Sequence, residues 1–255
     1  LLVFLKNAAV LKARLRAMPK VYLSPAYHWF NTCAIAGCDE TTHNNMYMDE
    51  LEPFLKACGI EYKRGSRRVP KSNEDGSALM KKAVAESNAW GADVHYVSHT
   101  NAFDGSVQGY RPIIYSGSDK GEELANYIIA ERRKIYNKAI KLNERTDLYE
   151  LRVPKAVSYY EEHVFHDNLE DATWFHNNLR NIARATCKGL CAYFGIKFVD
   201  PYVTAEPEKK GKKINRRAST GKTKESKPKK ETKKKQSEPK GNSGAAKVSV
   251  RRTRR

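Results

Sequence analysis

The sequence predicts an α/β fold of three layers, in which a mostly parallel β-sheet carries helices on both faces and a disordered basic tail follows. Short segments rich in β-branched and aromatic residues alternate with helix-length segments whose apolar residues recur every three or four positions. Strands separated by such helices need crossover connections, which join parallel strands and cover both faces of the sheet. The 255-residue chain is 40% hydrophobic, which is enough for a packed core.

The first strand and the first helix are predicted in the amino-terminal third of the chain. The run from Val21 to Ser24 is apolar and Pro25 stops it, as expected for a buried strand. A helix is predicted from Asn44 to Gly59, which would end it as a C-terminal cap. Its apolar face comprises Tyr47, Leu51, Phe54, Leu55 and Cys58. Pro53 lies within this pattern and predicts a kink or a break in the helix.

The remaining segments continue the alternation of strands and helices. Strands are predicted at Ile60–Lys63, Ala92–Ser98, Tyr110–Tyr115 and Ala156–Phe165. Helices are predicted from Ser77 to before Gly91, from Asp119 to Tyr136 and from Asn168 to Phe194. Pro112 lacks a backbone N–H, so it places its strand at an edge of the sheet or at a bulge. In sheets of this kind the functional site lies beyond the carboxyl ends of the strands.

The net charge of +18 is concentrated at the two ends of the chain. Residues 206–255 contain 20 Lys and Arg and five Glu, which gives a charge of +15, whereas residues 21–205 carry −2. This terminal segment has almost no large apolar residues, so it is predicted to be a disordered polybasic tail. Such a tail attracts polyanions such as nucleic acid, anionic lipid or an acidic wall polymer. The alternative is a solubilising or linker-like extension.

Residues 1–18 are predicted to be an N-terminal extension outside the folded domain. The apolar run Leu1–Leu5 is followed by basic residues instead of being preceded by them, so the segment lacks the order of a signal peptide. Met18 comes directly before Pro19 and an apolar run, and we expect it to be the natural start of the protein. No stretch reaches the roughly 18 to 20 apolar residues that span a bilayer, which excludes a transmembrane protein.

The five cysteines indicate a reducing compartment, because an odd count in a chain of this length argues against a disulfide framework. Cys187 and Cys191 are one helical turn apart, and we interpret them as core residues. Cys33, Cys38 and His43 are close enough in sequence to form a small metal site. A single short cluster without a second cysteine pair does not by itself specify one.

Four residues that could bind a metal or carry a proton fall at strand ends or at the start of a helix. His28 follows the first strand, His99 ends the strand Ala92–Ser98, Glu40 precedes the first helix, and Glu162 lies near the end of the last strand. Two histidines and a carboxylate are a sufficient ligand set for catalytic zinc, which keeps its fourth position for water. The remaining carboxylate could then serve as general base.

Each of these residues also has a purely structural interpretation. His28 can be a loop histidine, and Glu40 can be a helix-start carboxylate that the helix dipole favours. His99 can be a hydrogen-bonded residue at a strand end, and Glu162 can form a solvated pair with Glu161. Spacing alone leaves both interpretations open.

Three segments carry motifs that are specific when taken together. They are Val21–Pro25, Glu86–Gly109 with its run Ser-His-Thr-Asn-Ala, and Glu162–Asn168 with the pattern Glu-x-x-Phe-x-x-Asn. In this order, and over about residues 19–198, the chain resembles the zinc-dependent N-acetylmuramoyl-L-alanine amidases, especially endolysins and autolysins of clostridial type. The resemblance implies that residues 19–198 form a three-layer catalytic domain.

The same resemblance implies one Zn²⁺ ion held by His28, Glu40 and His99, with Glu162 as the catalytic carboxylate. Two departures concern the ligands. Members of the family usually place the first histidine two residues after the proline, whereas His28 is three residues after it, and Asp39 and His43 are near enough to compete with Glu40.

One further histidine, His95, precedes His99 by four residues on the same strand and shares its face, because side chains repeat every two residues. We rank His95 below His99 as a ligand because it lies deeper in the strand.

The activity that the resemblance implies is hydrolysis of peptidoglycan, at the amide between N-acetylmuramic acid and the L-alanine of the stem peptide. Zinc would activate the water and Glu162 would accept its proton. Strand geometry favours Glu162 over Glu161, because neighbours on a strand face opposite sides. In the absence of a signal peptide we expect accumulation in the cytoplasm, followed by release to the cell wall through a membrane lesion.

Two other functions are compatible with these residues. The first is an inactive amidase-like protein that the basic tail, 206–255, tethers to the cell wall or to nucleic acid. The second is a zinc peptidase that acts on peptides instead of the junction between glycan and peptide.

Overall fold

A computed structural model describes residues 18–65 and 76–203, all of which belong to one compact unit. The predicted basic tail, 206–255, lies outside the described residues, as does the predicted N-terminal extension apart from Met18. Within the described ranges, no helix combines the length and the apolar character that a bilayer crossing requires.

Six strands and five helices alternate through the described residues. The strands are β1 (Lys20–Pro25), β2 (Glu61–Arg64), β3 (Val94–Asn101), β4 (Arg111–Tyr115), β5 (Asn143–Arg145) and β6 (Val157–Phe165). The helices are α1 (Glu40–Ala57), α2 (Gly76–Trp90), α3 (Asp119–Arg132), α4 (Tyr149–Arg152) and α5 (Leu169–Phe194). This order confirms the predicted alternation and adds two short elements, β5 and α4.

The strands form one sheet in the order β2-β1-β3-β6-β4-β5. The first four of these are mutually parallel, β4 pairs antiparallel with β6, and β5 pairs parallel with β4. The predicted mostly parallel sheet is therefore confirmed. Pro112 lies in β4, which is not an edge strand as predicted. Strand β5 pairs only with Ile113 to Tyr115, so the side of Pro112 that faces β5 has no strand partner.

The two faces of the sheet carry different helices. One face packs the apolar residues of α1, α3 and α5 against Val21, Leu23 and Tyr96. On the other face Tyr22 donates a hydrogen bond to Glu86 of α2 at 2.6 Å, and α4 lies over the sheet as well. The molecule therefore has the predicted three layers.

Helix α1 begins four residues before the predicted start. Asp39 is its N-cap, and its side chain accepts a hydrogen bond from the backbone N–H of Thr42. The helix continues through Pro53 to Ala57, so the predicted break is not observed. The early start makes Glu40 the first residue of the helix.

Helices α3 and α5 approach each other closely at Gly189. A Cβ atom at this position would lie 2.7 Å from the Cα and 2.8 Å from the backbone nitrogen of Ile128, atoms that cannot rotate away. We expect Gly189→Ala to lower the free energy of unfolding by about 1–3 kcal/mol, although alanine is the better helix former. Urea unfolding measures the change, with Thr173→Ala, an exposed position on the same helix, as the control. A Gly189→Ala protein as stable as the parent would contradict the close packing.

Candidate active site

The loop that follows β1 is fixed to both of its neighbours. Ala26 donates its backbone N–H to the carbonyl of Ser98 on β3 at 2.8 Å, and His28 donates its backbone N–H to Thr41 Oγ1 on α1 at 2.7 Å. A turn follows, in which the Asn31 N–H donates to the His28 carbonyl at 3.0 Å. These contacts hold the half-exposed imidazole of His28 at the start of α1.

Glu40 is buried, with a relative exposure of 1%, where α1 meets the end of β3. Its Oε2 accepts from Asn31 Nδ2 at 2.8 Å and lies 3.0 Å from His28 Nδ1. Its Oε1 accepts from the Thr100 backbone N–H at 3.2 Å and lies 2.9 Å from His99 Nδ1. Burial alone would raise the pKa of Glu40, but its contacts with the two histidines outweigh burial and hold the pKa well below the usual range. Glu40 is therefore a carboxylate at neutral pH.

His99 lies near the end of β3 and is almost completely buried. Its ring stacks on Tyr160 at a centroid distance of 4.7 Å and meets the edge of His28 at 5.0 Å. These contacts bring the side chains of His28, Glu40 and His99 together, so that one donor atom from each lies within 4.8 Å of the other two. Two imidazole nitrogens and a carboxylate oxygen at this spacing could hold a transition-metal ion such as Zn²⁺.

Glu162 lies beside this group, because it is the register partner of His99 on the adjacent parallel strand. Its Oε2 is shielded from solvent and has no hydrogen-bond partner among the described residues. Burial and then the negative charge of Glu40 raise the pKa of Glu162 well above its usual range, against the opposing charge of Arg145. A carboxyl group with a raised pKa is suited to accepting and returning a proton.

Glu161 lies on the opposite face of the sheet, where it is fully buried. Arg132 Nη2 donates to its Oε2 at 3.0 Å, and the Tyr110 hydroxyl donates to its Oε1 at 2.9 Å. Burial would raise the pKa of Glu161, but His163 and Arg132 outweigh it and bring the pKa to about 2. Glu161 is therefore part of a buried ion pair beneath α3, away from His99.

A cleft of about 570 Å³ opens above His28 and His99. Aromatic rings form much of its wall, and those of Trp29 and Phe30 are exposed to solvent. A second groove, of about 440 Å³, contains Glu162. Its remaining lining is Asn101, Arg111, Ile113, Lys141, Asn143, Glu144 and Arg145, of which three are basic and one is acidic.

The comparisons with known proteins concern the fold. No protein-family model matches the sequence, and no curated protein matches it. The N-acetylmuramoyl-L-alanine amidase from Clostridium difficile 630 aligns with a TM-score of 0.62 and 16% identity, over 70% of this chain and 97% of that one. AmiC2 of Nostoc punctiforme, also an N-acetylmuramoyl-L-alanine amidase, aligns with a TM-score of 0.59 and 17% identity, over 69% and 97%.

The catalytic domain of the CD27L endolysin, which targets Clostridia Difficile, aligns with a TM-score of 0.55 and 20% identity, over 68% of this chain and 97% of that one. This chain has the fold of an N-acetylmuramoyl-L-alanine amidase. The resemblance to these amidases that the three motifs predicted is thereby confirmed at the level of the fold.

Within this amidase fold, the residues that compete with the predicted ligands lie elsewhere. His95 shares the face of His99, as predicted, but its Nε2 lies 3.2 Å from Glu150 Oε1 and not against Glu40. Asp39 caps α1, and His43 points towards Cys33, with 3.3 Å between Nδ1 and Sγ.

Three partners of the amidase-fold site were missed from the sequence, namely Asn31, the Thr100 backbone N–H and Tyr160. Asparagine in a turn and tyrosine in a strand are common without any function, so a single sequence contains no signal that distinguishes them.

Proposed function

We propose that the chain is a zinc-dependent N-acetylmuramoyl-L-alanine amidase that acts on peptidoglycan of the cell wall. It would hydrolyse the amide between the lactyl group of N-acetylmuramic acid and the L-alanine of the stem peptide. The observation that carries the proposal is the convergence of His28, Glu40 and His99 beside the buried carboxyl group of Glu162, in an amidase fold.

The donor set fits Zn²⁺. Two imidazoles and one carboxylate match the ligands of catalytic zinc sites, and a cation here would also compensate the negative charge that Glu40 imposes on Glu162. Zinc bound by these residues supplies Lewis-acid chemistry, polarising the amide carbonyl and lowering the pKa of water towards ~7.

The protein's own groups would position the ligands and move the proton. Asn31 and the Thr100 N–H donate to the two oxygens of Glu40 and so fix its carboxylate plane between the histidines. Glu162 would accept a proton from the attacking water at its unpartnered Oε2 and return it to the departing amine of L-alanine.

The cleft and the neighbouring groove suit the two halves of this substrate. The exposed rings of Trp29 and Phe30 offer an apolar surface to the glycan. The basic side chains around Glu162, including Arg111 and Arg145, suit the carboxylates of a stem peptide. The scissile amide would then lie between the two, at Glu162 and His99.

Replacing His99 with alanine is expected to abolish both activity and zinc binding at this site, because two ligands hold the ion poorly. Metal analysis after extensive dialysis, together with turnover of a muramyl-peptide, measures both effects. His95→Gln is the matched control, since His95 lies on the same strand and face but contacts Glu150. The His95→Gln variant should have the circular dichroism spectrum of the parent and should keep the ion. Full zinc occupancy and full turnover in His99→Ala would contradict the assignment.

The proposed bond specificity is tested by digesting purified peptidoglycan and assaying newly exposed N-terminal alanine against newly exposed reducing sugar. An amidase releases N-terminal alanine and no reducing ends. A zinc peptidase would expose other amino termini, and an inactive wall-binding protein would expose neither.

The charge of the tail, 206–255, favours tethering to a polyanion, a function that can accompany catalysis or replace it. If the tail acts only as an electrostatic tether, truncation after Ala205 should leave turnover of a small soluble muramyl-peptide unchanged. Binding to anionic walls should weaken. The difference in binding between the full-length and truncated chains should shrink as salt rises, because the Debye length falls from ~10 Å at about 0.1 M to ~3 Å at about 1 M. Sedimentation with walls at several salt concentrations measures this effect. Equal binding by the truncated and full-length chains would exclude the tether.

A further inference from the structure

The loop between His28 and Glu40 contains a tight hairpin that places two thiols side by side. Thr32 and Asp39 form an isolated antiparallel bridge, and the Cys33 N–H donates to the Cys38 carbonyl at 3.0 Å. Gly37 permits the turn, because its φ of +76° is one that other residues rarely adopt. Two cysteines separated by four residues across a tight turn match the spacing of paired zinc ligands.

A histidine from the first turn of α1 completes the cluster. His43 is fully buried, and its Nδ1 lies 3.3 Å from Cys33 Sγ. The two sulfurs and a nitrogen of His43 all lie within 4.8 Å of one another. Both cysteines are partly exposed, so an ion can reach them from solvent.

The other nitrogen of His43 has a partner that orients the ring. His43 Nε2 lies 3.1 Å from His176 Nδ1 on α5, and the edge of the His43 ring meets Phe175 at 5.7 Å. If His43 donates its Nε2–H to His176, this hydrogen bond fixes the tautomer and leaves the lone pair of Nδ1 directed at Cys33 and the ion.

We propose that Cys33, Cys38 and His43 bind a second Zn²⁺ ion, distinct from the one proposed at His28, Glu40 and His99, with the fourth position left to water or another small ligand. Two thiolates and an imidazole favour zinc over the hard cations Mg²⁺ and Ca²⁺.

The position of this second site explains what the ion would do. Asn31 lies two residues before Cys33, and Glu40 lies two residues after Cys38. An ion that joins the hairpin to His43 would therefore hold both ends of the segment that supplies the carboxylate of the candidate active site. Metal binding at the hairpin does not depend on the proposed amidase activity.

A third cluster of donors, formed by Cys58, Cys187 and Cys191, is the competing location for a sulfur-bound metal. Cys58 Sγ accepts from the Val199 N–H, a backbone group, at 3.2 Å and from Cys187 Sγ at 3.7 Å. It also offers no imidazole. We therefore favour the hairpin.

Cobalt substitution tests the proposal in the full-length chain, because Co²⁺ bound by thiolates has a sulfur-to-metal charge-transfer band that a site of nitrogen and oxygen ligands lacks. The parent and the His99→Ala variant should both show this band, and the Cys33→Ser/Cys38→Ser double variant should lose it together with one equivalent of zinc. Cys58→Ser is the matched control and should keep it. X-ray absorption of the zinc form should show Zn–S scattering at about 2.3 Å.

Three results would overturn the second site. They are the absence of sulfur ligation in the parent, sulfur ligation that survives in the double variant but is lost in Cys58→Ser, and a Cys33–Cys38 disulfide in protein purified with reductant and zinc.

A measurement on the parent alone covers the case in which the double variant does not fold. Zinc should slow alkylation of Cys33 and Cys38 by at least about tenfold relative to chelator-treated protein, because a metal-bound thiolate is a poor nucleophile. Peptide mapping by mass spectrometry identifies the protected cysteines. Equal alkylation rates with and without zinc would count against the site.

Discussion

Replacing Glu162 with glutamine is expected to lower the rate of peptidoglycan hydrolysis by about 100-fold or more while leaving the fold and the zinc content unchanged. Glutamine has nearly the same shape as glutamate but cannot accept the proton of the attacking water. Because Glu162 Oε2 has no partner among the described residues, the substitution breaks no hydrogen bond there. Burial and the charge of Glu40 raise the pKa of the Glu162 carboxyl group, which means that its charged form is costly here. Replacing it with a neutral amide should therefore stabilise the fold slightly.

The experiment compares kcat on a soluble muramyl-peptide, zinc content and urea unfolding for the parent and the Glu162→Gln variant. The expected pattern is a loss confined to kcat, since in the proposed role the carboxyl group acts on the reacting water and not on substrate binding. A variant as active as the parent would show that another group takes the proton. A variant that loses zinc would instead make Glu162 a ligand.

Glu161→Gln, the same substitution one residue earlier, should lower stability instead of activity. Glu161→Gln leaves the guanidinium of Arg132 buried without its anionic partner, and breaking a buried ion pair in this way costs about 3–5 kcal/mol of stability. Two nitrogens of Arg132, Nε and Nη1, already lack a hydrogen-bond partner among the described residues, so the protein has little to offer the freed charge. His99 and Glu162 lie on the other face of the sheet, so Glu161→Gln molecules that fold should retain the activity of the parent.

The stability difference between parent and Glu161→Gln should also depend on pH. The folded-state pKa of Glu161, about 2, is lower than the value of about 4.3 for an unperturbed glutamate. Its contribution is therefore complete above about pH 4.3 and is lost as the pH falls towards 2. Urea unfolding at pH 7 and pH 3 should show the difference narrowing at the lower pH. A difference that is constant or below ~1 kcal/mol at pH 7 would mean that the ion pair contributes little.

Much of the placement of the candidate site residues can be predicted from one sequence, because it depends on local periodicity. Alternation along a strand separates Glu161 from Glu162, and the rule that parallel strands end at one edge brings the loop of His28 near His99. The start of α1 was predicted at Asn44 instead of Glu40, because several residues before it can act as an N-cap and only tertiary contacts select Asp39.

The direction of β4 and the short elements β5 and α4 could not be predicted. A strand has the same side-chain pattern whichever way it runs, so β4 reveals its antiparallel pairing only through its partner β6. Strand β5 has three residues and α4 has four, too few for a period to be recognised. Yet β5 supplies Arg145, whose charge acts on Glu162, and α4 supplies Glu150, the partner of His95.

The pairings at the centre of the sheet join segments that are remote along the chain. Val21 pairs with Val94, and Val94 pairs with Val157, so each pairing closes a loop of about 60 to 70 residues. Bringing such remote segments together costs loop-closure entropy before the strands can pair, and this cost slows folding. His99 and Glu162 lie on the last two of these strands, so the candidate site cannot form before β6 pairs with β3. During synthesis, the site stays incomplete until β6 has left the ribosome.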